Sequence, residues 1–212
     1  MIVGELDTEV PDISFSDVEK FLSSTKEYHD SSVFSNEENV YFERNKRPYP
    51  WDRRVLEYQG KEFYNYLETN PFSKLKNLIN NLPIEKQSRV VFLISQTQQS
   101  DYDFNFHFDA DSGYGFRICQ GLNTDKIFLE IGELLPEFYD HGKSLKKIEP
   151  HMTTGRIYSI IPRKSNTVFC LRGDQYPHRV PVNGSEQRFV LIVRGNILSM
   201  DDIKYLQRIE EC

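Results

Sequence analysis

The sequence predicts an all-β core, a two-sheet jelly roll or a small barrel, supported by α-helices from its first third. Two observations carry this. Up to about residue 88 the apolar residues recur at helical spacing, and from residue 89 onward the period changes from 3.6 to 2. The second is that short β-branched and aromatic runs then follow one another with turn residues between them, and eight such runs suit two packed sheets.

The chain has 212 residues, 38% of them hydrophobic, 27% charged and 13% aromatic. That is enough for one folded domain with its own core, and too rich in Phe, Tyr and Ile for a disordered chain. We expect a single domain over residues 1–212. It divides into helical and irregular support (1–88), a β core (89–195) and a closing helix (196–212). In the first part, Ser16 and Glu19 form a capping box for DVEKFLSSTKEY, with Val18, Phe21 and Leu22 on one face. Residues 30–58 read as irregular. KEFYNYLE follows, and Pro71 opens FSKLKNLINNL, where Leu75, Leu78, Ile79 and Leu82 share a helical face.

The predicted strands are 89–97, 102–109, 115–122, 126–132, 155–161, 166–171, 176–181 and 187–194. Residues 133–154 interrupt the series as an insertion too long for an ordinary connection, the kind of segment that forms a lid or binding loop. At the end, Ser199-Met200-Asp201-Asp202 caps IKYLQRIEE as a helix.

Charge and composition exclude several functions. A net charge of -6 disfavours nucleic acid, whose binding needs clustered cations, and the basic run at 44–54 is broken by Pro48, Pro50 and Asp52. No run reaches a membrane span, and the MIVGELDTE start is unlike a secretory signal, so the expected location is the cytoplasm, with no membrane partner. Cys119, Cys170 and Cys212 form no CxxC pair and read as inert thiols. Neither a glycine-rich phosphate loop nor a Ser-His-Asp signature is present.

Chemistry concentrates in DFNFHFD, residues 103–109. Phe104, Phe106 and Phe108 share one strand face, expected to lie on the core, and Asp103, Asn105, His107 and Asp109 share the other. His107 and Asp109 are therefore either the wet side of a strand or two ligands of one metal. His178, in YPHRVP, is the natural third ligand. Arg188 opens the apolar strand FVLIV ten residues later, where its charge needs either a structural carboxylate or an anionic cosubstrate.

Two histidines and a carboxylate form a facial triad that leaves iron positions open. His-x-Asp, a distal His about seventy residues on and an Arg ten beyond it, on eight strands, resembles the Fe(II)/2-oxoglutarate-dependent oxygenases over residues 89–195. The resemblance implies a cupin-like double-stranded β-helix. His107, Asp109 and His178 would bind Fe(II), Arg188 would bind the far carboxylate of 2-oxoglutarate, and O2 would be the second cosubstrate. GFRICQGL and HRVPVNGSEQRFVLIVRG are similar to the aspartyl/asparaginyl β-hydroxylase branch, in which Arg117 would also hold 2-oxoglutarate, although that branch lacks the carboxylate that Asp109 supplies. By the same family resemblance, a carboxylate at Asp109 implies hydroxylation, or a related oxidation, rather than halogenation.

The expected activity is hydroxylation of an unactivated C–H bond of an amino acid, peptide or natural-product intermediate, releasing succinate and CO2. Asn105 and Trp51 are the candidate substrate contacts. The alternatives are a cupin-type metalloenzyme that uses no oxoacid, and a non-catalytic ligand-binding module on the same fold.

Overall fold

The computed structural model describes residues 3–6, 10–25, 51–96, 106–108, 114–120, 129–139, 148, 150–160, 167–171, 173, 176–179, 188–198 and 209–211. Its strands are β1 (Val3–Leu6), β2 (Trp51–Tyr58), β3 (Lys61–Glu62), β4 (Val90–Gln96), β5 (Tyr114–Gln120), β6 (Leu129–Leu134), β7 (Thr153–Ile160), β8 (Thr167–Leu171), β9 (His178–Arg179), β10 (Arg188–Gly195) and β11 (Ile209–Glu211). They form two sheets with antiparallel pairing throughout. A seven-stranded sheet runs β1-β8-β5-β10-β4-β2-β3, and a four-stranded sheet runs β11-β7-β6-β9.

The larger sheet is buried on both faces, which explains its continuous apolar runs. Along β10, Phe189, Leu191 and Val193 enter one cluster while Val190 and Ile192 enter another. The same split separates Val91 and Leu93 from Phe92 on β4, and Val168 and Cys170 from Phe169 and Leu171 on β8. The first cluster holds the helical layer, with Val18, Phe21, Leu22, Phe72, Leu75 and Ile79. The second lies between the sheets and includes Leu129 and Ile131 of β6. The smaller sheet keeps the alternation of a half-buried strand, with Leu129 and Ile131 buried and Glu130 between them half-exposed.

Helix formation follows packing more than capping. The N-terminal helix, Phe15–Ser24, buries Val18, Phe21 and Leu22 as their spacing predicts. It begins earlier than the Ser16 capping box implies. Ser14 is the N-cap, its carbonyl accepts from the Asp17 and Val18 N–H groups, and its hydroxyl bonds Ser16 instead of capping. The added residue Phe15 sets its ring 4.2 Å from that of Phe189, a tertiary contact that outweighs the local signal. The Pro71 segment begins with a 3₁₀ turn at Phe72–Leu75 and continues as a helix at Lys76–Asn81.

Three expectations are corrected. Residues 51–58 are not irregular: they form β2, paired with β4 through a bulge at Val55/Glu57. Ile209–Glu211 do not continue a closing helix but form β11, which pairs with β7 and covers a sheet edge that would otherwise offer unpaired backbone groups. The interval 133–154 contains the end of β6, a helical turn at Pro136–Tyr139 and the start of β7. Among the described residues no helix is long and apolar enough to cross a membrane.

The hairpin between β2 and β3 turns on Gln59 and Gly60, both at positive φ (50° and 76°), as a two-residue primed turn requires. A side chain at Gly60 would also meet the Lys86 carbonyl oxygen at 2.7 Å. Two tyrosines behind this hairpin have phenols pushed well above the usual range. Burial does so first for both; the neighbouring Glu57 carboxylate adds to it at Tyr66, and Arg54 opposes it at Tyr64. Their neutral forms therefore contribute stability that is full below the unfolded tyrosine pKa of about 10. It is lost as the pH climbs from there, because the unfolded chain releases these protons first. Urea midpoints should be flat from about pH 8 to 9.5 and fall above about pH 10, less steeply in Tyr66→Phe.

Candidate metal centre

The site is built where β9 meets the segment that carries His107; of the strand expected over 102–109, only residues 106–108 are described, and His107 forms an isolated bridge there. His107 and His178 form an antiparallel bridge in which each backbone N–H donates to the other's carbonyl at 3.0 Å. On its other edge β9 pairs with β6, with His178 opposite Ile131 and Arg179 opposite Glu130. Paired residues share a sheet face. Ile131 belongs to the cluster between the sheets, so His178 and His107 both face that interior.

His178 is 1% exposed and His107 half-buried, and their ring centroids stand 4.6 Å apart at a 49° tilt. Nδ1 of His178 lies 3.0 Å from the Tyr176 carbonyl oxygen. A carbonyl only accepts, so Nδ1 carries the proton and Nε2 the lone pair. This is the arrangement in which a histidine serves as a metal ligand with its orientation fixed by backbone. The donor set thus fits a divalent metal as two members of a three-ligand site.

The phenylalanine face is the opposite of the one expected. Phe106 lies not in the core but on the outer face of the smaller sheet, against Gly132 and beneath the Arg179 guanidinium. The physical reason is the pairing: the bridge to His178 turns His107 toward the space between the sheets, so its neighbour Phe106 points outward. Alternation locates two faces but does not say which is inside.

The other candidates are distributed as follows. Asp109 and Asn105 lie outside the described residues, and among the described residues no group of three or more His, Cys, Asp or Glu could hold a metal. Arg188 opens β10 opposite Gln96, and Trp51 opens β2 opposite the same Gln96, so these three positions form one cross-strand row. Arg117 on β5 stands opposite both Phe169 and Ile192, two members of the inter-sheet cluster. Cys170 is buried in the helical-side core.

Sequence reasoning missed Tyr176, Glu130 and Arg179. Only Arg179, a cation directly after the distal histidine, left a signal there.

No protein-family model matches the chain, and no curated protein does. Among solved structures, it is similar to a 2OG-Fe(II) oxygenase family oxidoreductase from Burkholderia pseudomallei, at 12% identity over 90% of this chain and 98% of that one, with a TM-score of 0.36. EvdO2 from Micromonospora carbonacea var. aurantiaca aligns at 12% identity over 95% and 96%, with a TM-score of 0.38. HygX from Streptomyces hygroscopicus, solved with nickel and 2-oxoglutarate bound, aligns at 11% identity over 87% and 79%, also with a TM-score of 0.38.

Proposed function

We propose that this chain is a single-domain, cytosolic, nonhaem Fe(II)- and 2-oxoglutarate-dependent dioxygenase. It would hydroxylate a C–H bond of an amino acid, peptide or natural-product intermediate. The observation that carries this is the pairing of two distant histidines on the inward face of one sheet, with the tautomer of His178 set by backbone. Strand order supports it. Numbered from β4 with the His107 segment as second, the larger sheet contains the order 6-3-8-1 and the smaller sheet 5-4-7, and the His107–His178 bridge sets segment 2 beside 7, an order that fits a double-stranded β-helix.

His107, His178 and Asp109 would hold the iron, which when bound supplies activation of O2 coupled to oxidative decarboxylation of the oxoacid. The protein's own contribution is placement and dryness. The Tyr176 carbonyl keeps the His178 ring in one orientation and one tautomer. Phe92, Leu129, Ile131, Phe169 and Ile192 give the inter-sheet space an apolar lining that excludes water. Arg188 and Arg117 would pair with the carboxylates of 2-oxoglutarate, for which a guanidinium fork is suited. Trp51, in the row of Arg188, and Asn105 would meet substrate.

The test is succinate release from 2-oxoglutarate with Fe(II), screened against amino acids and short peptides, together with anaerobic binding of 2-oxoglutarate. Expected are saturable anaerobic binding and succinate formed in step with a hydroxylated product. Failure to bind 2-oxoglutarate, or turnover that ignores it, would leave the oxoacid-independent cupin-type enzyme in its place.

A further inference from the structure

Behind the two histidines, on the outer face of the smaller sheet, sits a second cluster that no part of the proposed chemistry uses. The Arg179 guanidinium lies over the Phe106 ring, 4.7 Å from its centroid, and its Nε donates to the Glu130 carboxylate. The side chains of Arg179 and Glu130 are 29% and 12% exposed, so water screens this ion pair only partly. The Phe106 ring also lies against Gly132, where a methyl group would stand 3.2 Å from two ring carbons.

These residues are the immediate neighbours of the inward-facing ones. Phe106 precedes His107, Arg179 follows His178, and Glu130 and Gly132 flank Ile131, the partner of His178. Among the described residues His107 is joined to β9 by one bridge. Two backbone hydrogen bonds set the separation of the two segments at that point. A ring held on the opposite face, one residue away, adds a constraint on the tilt about that bridge.

We propose that Arg179, anchored by Glu130 and laid over Phe106, is a positioning residue that sets the orientation of His107 toward the metal. This rests on the metal-centre reading above. The side chain touches neither metal nor substrate; it acts through Phe106. Gly132 is part of the same device, since a Cβ there would press on the Phe106 ring at 3.2 Å and shift it under the guanidinium.

The experiment compares wild type with Arg179→Met, Arg179→Lys, Glu130→Gln and, as the ligand control, His178→Ala. Three quantities are read on the metal-free protein: its melting temperature, amide exchange at His107 and at Leu191, and Co(II) affinity by calorimetry. Arg179→Met should weaken Co(II) binding by about 10- to 100-fold, the usual effect of losing a group that orients a ligand. Exchange at His107 should accelerate while Leu191 in the core is unchanged. Arg179→Lys keeps the charge without the planar cover and should recover only part of the affinity, and Glu130→Gln should fall between.

Affinity within twofold of wild type in Arg179→Met, or equal acceleration at His107 and Leu191, would overturn the proposal and leave the metal centre standing. Should the wild type and His178→Ala bind Co(II) equally poorly, the metal-centre reading fails, and Arg179 with it.

Discussion

His178→Ala should abolish metal-dependent turnover, with Co(II) affinity reduced by more than about 100-fold, since losing a ligand outweighs losing a group that merely orients one. The substitution removes Nε2 as a donor and also deprives the Tyr176 carbonyl of its Nδ1–H partner. Tyr176 is only part-buried, so water can partly replace the lost partner, and this loss should cost about 0.5–1.5 kcal/mol and leave the variant folded. Circular dichroism melts check the fold, and calorimetry checks the metal. His178→Ala that binds Co(II) as wild type does would show that the two histidines are a packed pair and nothing more.

The largest stability effect is expected far from this centre, at Arg89. Its Nε donates to Glu57 Oε1 at 2.8 Å, and Nη1 reaches the Ile79 carbonyl and Asn80 Oδ1 at 3.3 and 3.2 Å. Glu57 Oε2 in turn accepts from the Tyr66 hydroxyl at 2.9 Å. Glu57 is 0% and Arg89 2% exposed. One buried ionic network thus ties β2, the end of the Lys76–Asn81 helix and the entry to β4 together. Arg89→Met should lower stability by about 3–5 kcal/mol, because the Glu57 charge is left buried and unpaired. For a chain of this size that is a fall of roughly 10 °C or more in melting temperature. The double variant Glu57→Met, Arg89→Met should regain much of the loss, as apolar replacements of a whole buried pair commonly do. A double variant no better than the single one would locate the energy in Tyr66 and the helix carbonyl instead.

Arg89 and Glu57 also explain what sequence reasoning could and could not see. Strands β4, β5, β8 and β10 were legible because each is a short β-branched run bounded by turn residues. WDRRVLEY was not legible as β2: its buried Glu57 and Arg54 look like solvent-facing charges, and the bulge at Val55/Glu57 breaks the alternation. Arg89, a long way off in sequence, makes the Glu57 charge tolerable, and a local pattern cannot reveal it. IKYLQRIEE has a helical period, yet Ile209–Glu211 pair with β7, a tertiary demand that overrides propensity. At the site, residue types and order picked out His107 and His178, which the fold places side by side. The orientation of the Phe106 face and the Arg179–Glu130 pair depend on which side of a sheet is enclosed, and only the assembled sheets decide that.

The position of β10 has a consequence for how the molecule comes to exist. It is the middle strand of the larger sheet, flanked by β5 and β4, yet tenth in chain order of the eleven strands among the described residues. During synthesis the two flanking strands must wait, unpaired along those edges, until residues 188–195 have left the ribosome. His178 also emerges late, long after His107. If the two histidines hold a metal as proposed, the nascent chain has no preformed place for it, and the final closure of the sheet would also be the step that creates the site. Such long-range assembly is slow and exposes strand edges while it lasts. Supplying metal during expression should raise the soluble yield by trapping the closed state as it forms.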